Sequence, residues 1–376
     1  MNVKPLLKLM VEKKASDLFF APFAPAKIKI EGKIMPVNKL EMSPKMVKQA
    51  ALELMTEEQM DEFTRELEID FALSEEGLGR FRVNVFNQRG NVAMVLRFIT
   101  SDLPTLDELG MPPQLKDLVM LKRGLILMVG ATGAGKSTTL AAMINHRNEK
   151  TSSHIITIED PIEFLHPNKQ SIVNQREVGL DTRSYHRALK SAMRGAPDVI
   201  QIGEIRDTES MRAALDMAGT GHLVLATVHS NNAPETLDRI INLFPQEQHG
   251  QVYMDLAHYL RAILSQRLVR ARNGKRVAAV ELKLNTPHIK DLILKGDIAA
   301  VKEAHKESGE QGMQNFDDAL LQLYKDGTIT LEEAMSHADS RSNLEAKINF
   351  GAVSYTHLTL PTTIKPWCCR GGGGGC

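Results

Sequence analysis

Gly130-Ala131-Thr132-Gly133-Ala134-Gly135-Lys136-Ser137-Thr138 follows the apolar run 125–129 and leads into Thr139-Leu140-Ala141-Ala142-Met143, a helical opening. Gly130, Gly135, Lys136 and Ser137 occupy the fixed positions of a phosphate-binding loop, in the strand-to-helix setting that gives the pattern its meaning. The glycines let backbone N–H groups face inward and approach a phosphate without a Cβ in the way, and the helix beginning near Lys136 adds its positive dipole end. The ammonium of Lys136 is expected at the β and γ phosphates and the Ser137 hydroxyl on Mg²⁺. Residues 130–138 are therefore read as the binding site for ATP or another nucleoside triphosphate with Mg²⁺.

Apolar runs at 155–158, 199–202 and 223–228, each followed by helical pattern, extend the first strand into a parallel sheet covered on both faces. The fold class is thus α/β. Ligands in such sheets sit beyond the carboxyl ends of the strands, so the residues after each run should converge. The second run ends in Glu159-Asp160-Pro161-Ile162-Glu163. Glu163 and Glu159 are candidates to orient or deprotonate an attacking water at a γ-phosphate. The third run ends in Gly203-Glu204, where an acid can hold Mg²⁺ through its water shell. Asp198 precedes that run and reads as a cap or turn residue, and Arg206-Asp207 as a surface pair. His229 closes the fourth run, within reach of a phosphate or the water; His222 opens it and reads as a packing or hydrogen-bonding residue.

Upstream, Lys27-Ile28-Lys29-Ile30 alternates before Gly32, and Phe81, Val83 and Val85 alternate with Arg80, Arg82 and Asn84 ahead of a turn at Arg89-Gly90. With helical patterns at 5–14 and 44–63, residues 1–100 read as a smaller α+β domain built on an antiparallel sheet. Prolines 104, 112 and 113 suggest a linker over 101–112, leaving 113–350 as the nucleotide-binding domain. From 351 onward the composition changes to a Thr-rich run, Trp367, paired cysteines and Gly371 to Gly375, which reads as a non-native or disordered tail.

A length of 376 residues, at roughly 150 per domain, fits this division. The 46 basic residues balance 46 acidic ones, and aromatics are only 5%, which argues against a nucleic-acid partner. No apolar stretch approaches the roughly 20 residues needed to span a bilayer. All three cysteines, Cys368, Cys369 and Cys376, fall in the tail, so the rest can form neither a disulfide nor a thiolate zinc site, as suits a reducing cytoplasm.

Four motifs together, GATGAGKSTT at 130–139, ITIEDPIEF at 156–164, APDVIQIGEIRD at 196–207 and TGHLVLATVHSNNA at 220–233, resemble those of the secretion-superfamily hexameric ATPases. Within that superfamily the chain is similar to the type IV pilus retraction ATPases of the PilT/PilU kind. The resemblance implies a PAS-like N-terminal domain on a RecA-like core, a ring of six subunits, and ATP hydrolysis at subunit boundaries. It implies that Glu163 is the catalytic glutamate, that Glu204 is the Walker B acid, and that arginines of the N-terminal domain, Arg80, Arg82 and Arg97, complete a site. Gly195-Ala196 and His288-Ile289-Lys290-Asp291-Leu292 look more like the PilU branch, which implies an accessory motor working beside a PilT-type one. The implied partner is an inner-membrane pilus platform protein, and the implied location is cytoplasmic, peripheral at the inner membrane. A pilus-assembly or type II secretion motor is disfavoured because such proteins usually carry a tetracysteine zinc site. A non-hydrolysing adaptor is disfavoured by the complete set Lys136, Glu163, Glu204 and His229.

Overall fold

The computed structural model describes residues 3–30, 32–307 and 312–351. Except for Gly351, which ends the helix Arg341–Gly351, the tail read at 351–376 lies outside the described residues, and so do all three cysteines.

The N-terminal part is a six-stranded antiparallel sheet of β1 (Asp17–Phe20), β2 (Pro25–Ile30), β3 (Lys33–Glu41), β4 (Glu68–Glu75), β5 (Gly79–Gln88) and β6 (Asn91–Ile99), in the order β3-β2-β1-β6-β5-β4. On β5, Phe81, Val83 and Val85 are fully buried while Arg80, Arg82 and Asn84 face outward, the period-two division of a half-solvated sheet. Arg89 and Gly90 take φ of 49° and 73°, the paired left-handed geometry that lets a two-residue turn follow the strand twist into β6. The single helix expected at 44–63 is two, Pro44–Leu54 and Glu57–Glu66. Thr56 interrupts it: its hydroxyl accepts the Gln59 N–H while the Gln59 side chain accepts the Thr56 N–H, a reciprocal cap that starts a new helix.

The second sheet holds β7 (Gly124–Val129), β8 (His154–Glu159), β9 (Ile172–Glu177), β10 (Val199–Ile202), β11 (Leu223–Val228), β12 (Leu260–Arg270) and β13 (Arg276–Leu284), in the order β13-β12-β7-β11-β10-β8-β9. All neighbours are parallel except β12 and β13. Leu125, Leu127 and Val129 point to one face, where Met211 and Leu215 of the helix Thr208–Gly219 pack; Ile126 and Met128 point to the other, against Leu140 and Met143 of the helix Lys136–Lys150. Burial on both faces is why these strands read as unbroken apolar runs. Leu106 and Met111, from the stretch read as a linker, are buried in the second of these clusters. The Leu165 N–H donates to the Thr100 carbonyl at 3.1 Å, tying the end of the N-terminal sheet to the loop after β8. Parallel order brings the segments following β7, β8, β10 and β11 to one edge. Among the described residues no helix is long and apolar enough to cross a membrane.

Candidate active site

The loop after β7 is held tightly against β12. Gly130 has φ 148°, and a Cβ there would stand 2.5 Å from the Gln266 carbonyl oxygen; at Gly135, φ 87°, it would stand 2.7 Å from Gln266 Nε2. Gln266 in turn accepts a 2.8 Å hydrogen bond from the Thr139 hydroxyl on the first turn of the following helix. The loop is therefore a cradle that only glycine permits at these two positions. Lys136 opens the helix, buried, with Nζ donating to the carbonyls of Gly130 at 2.7 Å and Ala131 at 3.0 Å. Burial lowers its pKa, and the charges of Glu204 and Glu163 oppose that shift. Gly130→Ala combines forbidden backbone geometry with a clash against main chain and is expected to cost about 3 kcal/mol of stability. Chemical denaturation together with titration of a fluorescent ATP analogue measures this loss and the accompanying loss of affinity.

Beside the loop lies a cleft of about 350 Å³ bordered by Thr132, Gly133, Lys136 and Ser137 and, across from them, by Glu159, Glu163, Glu204 and His229. These residues come from four different strand ends, as expected. Glu204 Oε1 lies 3.0 Å from His229 Nε2, and its Oε2 accepts from Arg206 Nε at 2.7 Å and Nη2 at 2.6 Å. The reading of Arg206 as half of a surface pair is thus corrected. The chain turns after Glu204 and brings the guanidinium, two residues on, back onto that carboxylate, while Asp207 caps the helix Thr208–Gly219 by accepting the Ser210 N–H at 2.7 Å. Asp198 sits at the opposite end of β10 and accepts the His154 N–H at 2.8 Å.

The two acids of the loop after β8 occupy different environments. Glu159 is buried; its carboxylate accepts from the Thr157 hydroxyl at 2.6 Å, from Gln175 Nε2 at 3.1 Å and from the backbone of Glu163. Burial raises its pKa and these hydrogen bonds offset part of the rise. Glu163 is exposed at the cleft. Arg80, Arg82 and Arg97 lie on the N-terminal sheet and do not border the cleft of their own chain. They pair with Glu177 at 3.4 Å, Asp70 at 3.4 Å and Asp17 at 2.9 Å.

His166, Tyr185, Gln201 and Thr227 also line the cleft, and nothing in their local pattern singled them out. Burial drives the His166 pKa from 6.5 down to about 4, and its Nδ1 is buried without a hydrogen-bonding partner. An imidazole depressed on folding stabilises the protein above pH 6.5, and that contribution disappears as the pH falls toward 4. The span corresponds to about 3 kcal/mol. His166→Asn, which cannot titrate, should therefore show a shallower acid limb than the wild type in denaturant unfolding over this range.

The family described as Type II/IV secretion system protein matches residues 1–341. The type IV pilus ATPase PilU of Pseudomonas aeruginosa is 52% identical over 94% of this chain and 93% of its own length. The type IV pilus retraction ATPase PilT of the same organism is 40% identical, covering 91% of this chain and 100% of its own. The chain belongs to the PilT/PilU family of type IV pilus ATPases. A crystal structure of the pilus retraction motor PilT with bound ADP superposes with a TM-score of 0.86 at 41% identity, covering 92% of this chain and 99% of that one. The Legionella pneumophila ATPase DotB follows at a TM-score of 0.75 and 25% identity, over 89% and 94%. Like its relatives, this PilT/PilU-family chain is a nucleotide-binding ATPase with a RecA-like core behind an N-terminal domain.

Proposed function

We propose that this ATPase is a hexameric motor that powers type IV pilus retraction, as the PilU-type accessory of a PilT-type motor, docked on the platform protein at the cytoplasmic side of the inner membrane. One observation carries the reading: Lys136, Glu163, Glu204 and His229 border a single cleft beside a glycine cradle. The similarity to PilU supports the accessory assignment.

The cradle from Gly130 to Thr138 grips the triphosphate of the substrate ATP through backbone N–H groups, and Lys136 neutralises its β and γ oxygens. Ser137 and Glu204 offer the hard oxygen donors that suit Mg²⁺. Once bound, the metal supplies electrostatic stabilisation of the phosphate charge. Glu163, exposed at the cleft, orients the attacking water and takes its proton. His229 and Arg206 hold Glu204 in one orientation from opposite sides. Arg80, Arg82 and Arg97 act across a subunit boundary, where closing the interface brings a positive charge to the γ-phosphate of a neighbour and so links hydrolysis to movement.

Complementation tests the whole reading. In cells lacking this protein, pilus retraction against load should return with the wild-type chain and stay absent with Glu204→Ala. Equal restoration by both would show that hydrolysis here is irrelevant to retraction.

A further inference from the structure

We infer that Gln175, on β9, is the positioning residue that aims Glu163, and the inference rests on the reading that Glu163 handles the attacking water. Residues 160–166, which carry Glu163, belong to no helix or strand, so the loop is held by side chains rather than by a ladder of its own. Parallel pairing places Gln175 opposite Thr157 and Glu177 opposite Glu159, alongside the point where that loop leaves β8. From there a single amide makes three contacts. Gln175 Nε2 donates to the Phe164 carbonyl at 2.8 Å and to Glu159 Oε1 at 3.1 Å, and its Oε1 accepts the His166 N–H at 2.8 Å. Glu177, on the same face of β9, accepts the Ile162 N–H at 3.3 Å.

The backbone is therefore gripped on both sides of Glu163, at Ile162 and at Phe164, and Glu163 itself hydrogen-bonds through its backbone to the Glu159 carboxylate that Gln175 also holds. Glu177 takes a further contact from Arg80 at 3.4 Å, which brings the N-terminal sheet into the same network. A half-buried amide with every contact satisfied costs little to keep and a good deal to break, and a carboxylate displaced by about 1 Å from its working position loses on the order of 100-fold in rate. The Gln175 contacts end on Glu159, Phe164 and His166 at the far wall of the cleft and not on the phosphate loop, so nucleotide affinity should change far less than kcat.

The test compares full-length wild type, Gln175→Met, Glu163→Gln and the double variant, reading steady-state phosphate release, ATP-analogue affinity and thermal unfolding. Methionine keeps the length and loses every hydrogen bond. The expected result is a kcat lowered about 10- to 100-fold with affinity within about threefold of wild type, and no further loss when Gln175→Met is added to Glu163→Gln. Unchanged kcat, a parallel fall in kcat and affinity, or an additive loss in the double variant would overturn the inference. If Gln175→Met does not fold, Gln175→Glu retains the acceptor for His166 and removes the donors; it should lower kcat in the same way, and a normal kcat would be equally damaging. The two readings fail separately: an active Glu163→Gln removes the parent assignment, whereas an inactive Glu163→Gln beside a fully active Gln175→Met removes only this one.

Discussion

Replacing Lys136 with alanine should abolish nucleotide turnover, with kcat/KM falling by at least about 1,000-fold. The ammonium is the cation that opens the helix beneath the phosphate cradle, its Nζ within 3.0 Å of two loop carbonyls. Two effects combine when it is removed. A charged hydrogen bond to bound phosphate contributes about 1.5–3 kcal/mol to affinity. A preorganised donor facing the charge that develops in the transition state contributes a further 10²- to 10³-fold in rate. Lys136→Ala also removes the Lys136 donor from the Gly130 and Ala131 carbonyls, leaving Ala131 with the Ala134 N–H at 3.2 Å, so the loop loses an internal tie together with its charge. Arginine should not rescue turnover, because its planar fork cannot reproduce the compact point charge of the ammonium. Phosphate release and ATP-analogue titration measure both losses, and undiminished hydrolysis in Lys136→Ala would refute the phosphate assignment.

How far the fold could be read ahead depended on how each strand is buried. β7, β8, β10 and β11 lie inside the sheet with both faces covered, and their apolar runs mark them within a residue or two. β9 is an edge strand whose last four residues read Asn174-Gln175-Arg176-Glu177, polar because Gln175 and Glu177 hold the neighbouring loop instead of a core. β12 and β13 escaped for a related reason. They bury Ser265, Gln266, Glu281 and Lys283, and polar residues in a strand interior erase the hydrophobic signal although each is satisfied, as Ser265 is by donating to Glu281 at 2.8 Å. The same contrast governs the site. Lys136, Glu163, Glu204 and His229 follow directly from motif and strand end, whereas Arg206 and His166 reach their places through turns whose path no periodicity encodes and Gln175 sits on a polar edge strand. Strand-end position alone offered Glu159 and Glu163 alike, the family resemblance pointed to Glu163, and burial separates them physically: one is enclosed by Thr157 and Gln175, the other open to the cleft.

That separation makes Glu163→Gln the more informative of the acid substitutions. Glutamine keeps the size and shape of the side chain and the backbone contact with Glu159, so the loop stays in place, while the group that accepts the proton of the attacking water is lost. Turnover should fall about 10²- to 10⁴-fold, the usual contribution of a general base. Affinity for ATP should hold or rise, because a negative charge facing the γ-phosphate is gone. The corresponding change at Glu204 cannot separate these effects, since its two oxygens face His229 and Arg206 and the amide keeps a single acceptor oxygen for the two partners. Single-turnover phosphate release set beside equilibrium binding distinguishes the outcomes: trapped, unhydrolysed ATP identifies Glu163 as the base, and lost binding would instead make it a structural acid, leaving the water to be activated by some other group on the cleft wall.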